Sequence, residues 1–421
     1  MIESFLSALM YPFLFLSMYF QILLFVSLFE NKKKIKNEEN LSISRYPSVT
    51  IAVPCWNEAS TIGGTIESLM ALEYPKEKLH IVVVDNNSTD NTQEIAQTFK
   101  KKYPENVEVL IETKQGKHHA VNKALELSKS ELFGCLDADS FVAPSALANI
   151  VGYFEHNKEA MAVTPCIHIR NPRTFIQRMQ AIEYLMGVFL RKAFGSLDAI
   201  QVTPGPFSIF KREEVFGTLG GYKKAHNTED FEITLRMHKN HLKIMNSHKA
   251  LVYTVGPASA KGFFYQRLRW ARGFLENALD YRELFFKKKY GNFGMFTLPM
   301  AFFFMFYGLY ASLFALYNLL KVIWLRVDQW LTVGVHPQFP SFDFFYLNTT
   351  VMGFTIMVML TMFLAVLYIG NILSDDKQEL YKNFPFFFFL YPVFVPFFIA
   401  KAIFDTFTKR RNEWVLQDTK Q

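Results

Sequence analysis

Three stretches of this 421-residue chain, residues 4–29, 290–320 and 344–374, contain no charged side chain. About 20 apolar residues suffice to cross a bilayer as a helix, so each stretch is long enough to span one. Only Glu3 precedes the first run, whereas Lys32, Lys33, Lys34 and Lys36 follow it. A cleavable signal peptide has its positive charges in front and a small-residue cleavage site behind. The run therefore reads as an uncleaved anchor whose C-terminal side is cytoplasmic. Lys287, Lys288 and Lys289 precede the second run and place the intervening residues on that same side. A further apolar run, residues 383–400, is shorter and contains Pro385, Pro392 and Pro396. Crossed fully, it would put the tail with Lys409, Arg410 and Arg411 outside. Broken or re-entrant, it would keep that tail in the cytoplasm, and the sequence leaves both open.

The residues between the first two runs have ordinary polarity. Residues 49–53 read as a strand, 60–72 as a helix, and 81–84 as a strand ending at Asp85. A short helix from Asn91, a strand over 107–111, a helix from about His119 to Leu127 and a strand ending at Asp137 follow. This alternation predicts βαβ crossovers and an α/β fold with a mainly parallel sheet. The expected division is an anchor over 1–30, a basic linker over 31–45 and a soluble domain over 46–290. A transmembrane region over 291–408, of about three segments, and a basic tail over 409–421 complete it. Phe175, Met179, Ile182, Met186, Phe189 and Ala193 recur at helical spacing, which suits a core helix or one lying on the membrane interface.

Half of the residues are apolar and 45 are Phe, too many for a purely soluble protein. The net charge of +7 comes from Lys and Arg clustered beside apolar runs, which points to membrane lipids and not to nucleic acid. No zinc-like Cys/His spacing or basic-aromatic RNA-reading signature occurs, so nucleic acid is not an expected partner. Cys55, Cys135 and Cys166 are odd in number and widely spaced, as free thiols in a reducing compartment would be.

Chemistry concentrates at the ends of the expected strands, where ligands of open α/β sheets collect. Asp137-Ala138-Asp139 places two carboxylates one residue apart, an arrangement that can converge on a hard divalent cation. Alone, it is better explained as a solvated turn. Pro54-Cys55-Trp56-Asn57-Glu58 and Asp85-Asn86-Asn87 end adjacent strands, where a base and ribose could be hydrogen-bonded. Gly116-Lys117 opens a helix whose N-terminus favours an anion, without the spacing of a Walker loop. Thr228-Glu229-Asp230 precedes a helical pattern, with Thr228 as its expected N-cap and Asp230 available as a general base. Gln266-Arg267-Leu268-Arg269-Trp270 sets Gln266, Arg269 and Trp270 on one helix face, where an Arg can grip phosphate and an indole can stack on a sugar.

In this order, P-x-x-N-E, D-N, G-K-x-x-A-x-N, D-A-D, T-E-D and Q-R-L-R-W, the chain resembles the membrane-bound family 2 glycosyltransferases. That group includes hyaluronan, chitin-oligosaccharide, poly-N-acetylglucosamine and cellulose synthases and, more distantly, ceramide glucosyltransferase. The resemblance covers residues 49–272 and implies a GT-A fold that transfers a sugar from a nucleotide sugar with inversion. By position, it implies that Pro54, Glu58, Asp85 and Asn86 hold the nucleoside and that Lys117 approaches the ribose or diphosphate. Asp137 would contact the nucleotide, Asp139 would ligate Mg²⁺ or Mn²⁺, and Asp230 would be the base. Gln266, Arg269 and Trp270 would clamp the diphosphate and acceptor, with Arg267, Glu229 and Gly205 in the same group. Trp414, Thr419 and Lys420 resemble a tail motif of these enzymes, which favours a cytoplasmic tail.

Two departures stand out. Asn86-Asn87 follows Asp85 where the family commonly has Asp-Gly, so a UDP-sugar is expected on weaker grounds; Asn can still pair with an imide. His118 and His119 replace residues often basic or small, and no role is read for them. The favoured reaction is repeated addition to a glycan, with the product passing through the membrane helices. Single transfer to a lipid acceptor such as a ceramide or polyprenyl carrier is the alternative. A non-catalytic sugar-nucleotide-binding membrane protein is the rival from another class, and the lack of intramembrane charges disfavours a channel.

Overall fold

A computed structural model describes residues 2–38, 41–334 and 351–408. The expected tail motif at Trp414, Thr419 and Lys420, and the start of the 344–374 run, lie outside the described residues.

At the centre is an eight-stranded mixed sheet of order β3-β2-β1-β4-β7-β6-β8-β5. Its parallel half is β1 (Val49–Cys55), β2 (Leu79–Asp85), β3 (Val107–Ile111) and β4 (Leu132–Cys135). The other half is β5 (Ser140–Val142), β6 (Ala160–Ile169), β7 (Ile209–Lys211) and β8 (Lys243–Thr254). There β7 runs antiparallel to β4 and β6, and β5 antiparallel to β8.

Every residue of β1 is buried, because helices cover both faces of the sheet. Side chains alternate between faces along a strand. Ile51 and Val53 therefore meet Ile62, Ile66 and Leu69 of α3 (Ile62–Met70), while Ala52 shares the other layer with Ala120, Val121 and Ala124 of α5 (Lys117–Leu127). Burying each large aliphatic side chain of this kind contributes about 1.5–3 kcal/mol. Pro54 sits in β1 beyond the point where β4 stops pairing, so its missing N–H breaks no ladder on that side.

Four helices among the described residues are long and apolar enough to cross a membrane. They belong to α1 (Ile2–Glu30), α11 (Leu298–Val333), α12 (Val351–Leu373) and α13 (Leu380–Phe407). The proline-containing run at 383–400 lies in one continuous helix, α13. Two helices of the sheet domain meet these spans: α7 (Phe175–Ser196), opened by a capping box of Thr174 and Gln177, and α10 (Ala260–Asp280). As the core-helix reading expects, α7 packs on β6 and β8 of the sheet domain, and it also packs on α1, α12 and α13. Phe25 of α1 meets Phe189 edge-on at 5.4 Å, and Phe263 of α10 is contacted by Tyr391, Phe394 and Phe398 of α13.

Polar contacts fix the connectors to the domain. Glu38, after α1, forms a buried pair with Lys192 at 2.6 Å, and the turn after α12 is held by Ser374 to His168 and by Asp375 to Lys249. The backbones of α12 and α7 touch at Gly370, where a Cβ would stand 2.7 Å from the Leu185 carbonyl oxygen. Gly370→Ala is expected to cost about 1–3 kcal/mol, since neither helix can yield without repacking. Gly217→Ala, whose Cβ would meet nothing within 4 Å, is the control. Melting in detergent checks the pair; equal melting temperatures would show the contact to be slack.

Candidate active site

The chain turns after β4, with the Ser140 N–H donating to the Asp137 carbonyl at 2.9 Å. Leu136 and Ala138 are buried there, whereas Asp137 and Asp139 are only half-buried. Thr65 of α3 pins this segment by donating its hydroxyl to the Ala138 carbonyl at 2.8 Å. Asp137 turns toward α5, where the Lys117 ammonium lies 2.6 Å from its carboxylate and 2.9 Å from that of Glu229. Burial disfavours the charge on Lys117, but Asp137 and Glu229 outweigh it and hold the ammonium well above its ordinary pKa. Gly205 faces the same spot. A Cβ there would stand 2.6 Å from Lys117 Nζ and 3.3 Å from both Asp137 carboxylate oxygens.

Glu229 and Asp230 begin α9 (Glu229–Lys239). Thr228 occupies the N-cap position but does not cap, contrary to expectation; its hydroxyl donates to the Ala225 carbonyl and accepts from Asn277. The Asp230 carboxylate accepts the Phe231 N–H at 2.8 Å. Desolvation, then the neighbouring Glu229 charge, push the Asp230 carboxyl up to about 6, against the pull of Lys117 and Arg269. For Glu229, burial is outweighed by Lys117, which keeps the carboxyl below the usual range. Two adjacent acids are thereby driven apart, the pattern expected of a base beside a permanently charged partner. Lys117, Cys135, Gly205, Tyr222, Glu229 and Asp230 line one small cavity.

Arg269 reaches the same region by donating to the Asn227 carbonyl at 2.9 Å. Arg267 does not. It is 4% exposed, ion-paired with Glu183 of α7 and stacked on Phe263, so it belongs to the contact among α7, α10 and α13. The cause is helical geometry: two residues along a helix is about 200° of rotation, so Arg267 and Arg269 point oppositely. Its guanidinium also lies 4.2 Å over the ring of half-exposed Trp270 and donates to Gln266 Oε1 at 2.6 Å. Tyr391 of α13 donates to Glu183 at 3.2 Å and completes this group, which no motif announces. Asp139 lies on the α7 side. Burial pushes the Tyr184 phenol up to about 12, and the charges of Glu183 and Asp139 add to that shift against Arg267.

Just past the end of β2, Asn86 is committed to the backbone. Its amide donates to the Glu112 and Lys114 carbonyls and accepts the Gly116 N–H at 2.7 Å, so it shapes the loop before Lys117. Asp85 is 2% exposed; one carboxylate oxygen accepts the Ser88 N–H and the other is buried with no hydrogen-bond partner among the described residues. Glu58 accepts the Thr61 hydroxyl at 2.6 Å at the start of α3. Asn122, the last residue of the G-K-x-x-A-x-N pattern, clamps Tyr222 through both its N–H and its carbonyl. The rings of His118 and His119 lie 4.0 Å apart, tilted by 39°, in the first turn of α5.

Among the described residues no three His, Cys, Asp or Glu side chains form a ready-made metal cage. Two emerging carboxylates still suit Mg²⁺ or Mn²⁺, which commonly takes one or two protein carboxylates and completes its shell with water and substrate phosphate.

Residues 50–216 match the family described as glycosyl transferase family 2. The chain is 31% identical over 269 residues to a poly-beta-1,6-N-acetyl-D-glucosamine synthase of Staphylococcus epidermidis, covering 63% of this chain and 64% of that protein. It is 28% identical over 294 residues to the synthase of the same name from Staphylococcus aureus, covering 69% of each. Among solved structures, the mannosyltransferase PcManGT from Pyrobaculum calidifontis, described in complex with GDP-Man and Mn²⁺, superposes with a TM-score of 0.59 at 18% identity. That superposition covers 94% of this chain and 99% of the other, and it shows the GT-A fold.

Proposed function

We infer that this chain, a family 2 glycosyltransferase, moves a sugar from a nucleotide-sugar donor to an acceptor hydroxyl with inversion, depends on a divalent metal, and adds sugars repeatedly. The observation that carries the reading is the Lys117 bridge, which draws Asp137 from the end of β4 and Glu229 from beside Asp230 to one point. A departing diphosphate needs positive charge where an acceptor hydroxyl needs a base, and the two demands meet there.

In the proposed step, Asp230 accepts the acceptor proton as the hydroxyl oxygen bonds to the anomeric carbon. The bond from that carbon to the diphosphate oxygen breaks on the opposite face, so the configuration inverts. Lys117 and Arg269 oppose the charge that grows on the leaving group, usually the larger share of the rate gain. Asp137 and Asp139 would hold Mg²⁺ or Mn²⁺, which supplies further neutralisation of the diphosphate. The orphaned oxygen of Asp85 would accept from the base or ribose of the donor. A UDP-sugar is the proposed donor, given the N-acetylglucosamine named in the relatives' products. The Lys clusters after α1 and before α11 support a cytoplasmic catalytic domain in the cell membrane.

The test is a screen of nucleotide sugars on purified membranes, read by nucleoside diphosphate release and by product size. Release should stop with chelator and return with Mn²⁺ or Mg²⁺, and Asp139→Asn should not be restored by either. A polymer ladder supports repeated addition, and one lipid-linked sugar replaces it with single transfer. No release from any donor sinks the reading.

A further inference from the structure

Immediately before Thr228-Glu229-Asp230, the backbone does something costly. Ala225, His226 and Asn227 have φ of 43°, 52° and 63°, three consecutive non-glycine residues in the left-handed region. Asn tolerates this conformation through its short polar side chain, but Ala has no such compensation. Such a turn persists only where its surroundings over-determine it.

The principal anchors come from one helix, α10. Asn277 donates to the Ala225 carbonyl at 3.0 Å and to the Thr228 hydroxyl at 2.9 Å, and Arg269 donates to the Asn227 carbonyl at 2.9 Å. Between them, His226 uses both ring nitrogens: Nδ1 lies 3.0 Å from Glu276 and Nε2 lies 2.8 Å from Asp280. With a carboxylate on each side, both nitrogens are donors and the ring is an imidazolium. Arg272, also on α10, shares Glu276 at 2.7 Å, and Lys224 is the neighbouring charge on the chain. Hydrogen bonding to Glu276 and, against burial, to Asp280 raises the imidazole pKa to about 9.

We propose that His226 is a positioning residue of the transfer reaction, an imidazolium clamp that holds the left-handed turn against α10 and so sets Asp230 relative to Arg269 and Trp270. The inference rests on the reading of Asp230 as the base. Base and leaving-group helix would then be aligned by a single joint, and release of the clamp would leave both intact but out of register. The contacts proposed to the donor's nucleoside, at Glu58 and Asp85, lie elsewhere, and Arg269 acts on charge that grows only as the diphosphate departs, so the defect belongs in kcat and not in donor KM.

His226→Asn removes the charge while suiting the left-handed backbone. It is expected to lower kcat roughly ten- to hundredfold, the order reached when a reacting group is displaced by about 1 Å, with donor KM and melting temperature near wild type. Wild-type kcat should also fall on an alkaline limb near pH 9 as the imidazolium deprotonates, and His226→Asn should lack that limb. Lys117 and Cys135 do not supply it, because both are held at higher pKa. Asp280→Asn removes one anchor from an exposed side chain with little risk to folding, and should move the limb to lower pH. A wild-type kcat and pH profile in His226→Asn overturns the proposal, as does an Asp280→Asn profile whose limb stays in place. A lower melting temperature with kcat unchanged overturns it too, as a structural role. If Asp230→Asn is fully active, the base assignment itself has failed; if Asp230→Asn is dead and His226→Asn is normal, only the clamp has.

Discussion

Asp230→Asn should bind donor as the wild type does and transfer almost nothing. The exchange is isosteric and keeps an oxygen to accept the Phe231 N–H, so the start of α9 survives. What is lost is the capacity to take a proton, for which general-base catalysis typically contributes about 10²–10⁴-fold. The wild type should show the complementary pH signature. A base must be ionised to act, and burial and Glu229 raise the Asp230 pKa to about 6, so on the proposed role kcat should be full above that pH and decline as pH falls through it. The linked stability runs the other way. A carboxyl with a raised folded pKa contributes stability that is present below its unfolded value of about 3.9 and is lost as pH rises through the folded value. Asp230→Asn should therefore melt higher than wild type at pH 7.5, and dead but more stable is the joint expectation. Nucleotide-binding calorimetry, single-turnover assay and melting report the three parts separately. An active variant with an unchanged acid limb would remove Asp230 from the chemistry.

Lys117→Met should be the most damaging change on the donor side. It deletes the cation between Asp137 and Glu229 and leaves their charges facing each other beside Asp230. Breaking a buried ion pair costs about 3–5 kcal/mol, and less here because Lys117 and Asp137 keep 29% and 31% of their side-chain surface. The pKa of Glu229 should rise once Lys117 no longer opposes its burial. Removing one preorganised donor to developing charge typically costs on the order of 10²–10³-fold, and kcat/KM is expected to fall by that much. Gly205→Ala should reproduce part of the loss without touching a charge, because its methyl would occupy the space of Lys117 Nζ. Steady-state kinetics with nucleotide titration decide the case. Near-normal turnover in both variants would place the leaving group elsewhere.

Much of the sheet domain was legible because its strands and helices bury continuous or periodic apolar faces. The strand at 49–53 and the crossover after it appear in the structure with small shifts of boundary. Asp137, Asp139 and Asp230 stood out because each follows a strand or opens a helix, and only their order with the other motifs set them apart from an ordinary turn or helix start. Arg267 was grouped with its neighbours as part of the Q-R-L-R-W pattern, and its burial against Glu183 depends on a residue 84 positions away in sequence. Asn86 carried a donor expectation, yet its amide serves the Gly116 loop. Thr228 stood at the right place to cap α9, but the turn before it took the hydroxyl instead. His226, Glu276 and Asp280 were invisible because a clamp has no spacing rule when its halves lie on separate elements.

The linear chain settled those properties that arise from neighbours in sequence: apolar runs of membrane-spanning length, basic flanks, the βα alternation, and acids at strand ends. Hydrophobic periodicity and local charge are short-range, so they survive being read one residue at a time. The fold alone determined which charges meet. Lys117 joins Asp137 to Glu229 across more than a hundred residues, and α10 holds the turn that carries Asp230. Electrostatic coupling acts through distances in space, and those exist only once packing has brought the helices onto the sheet.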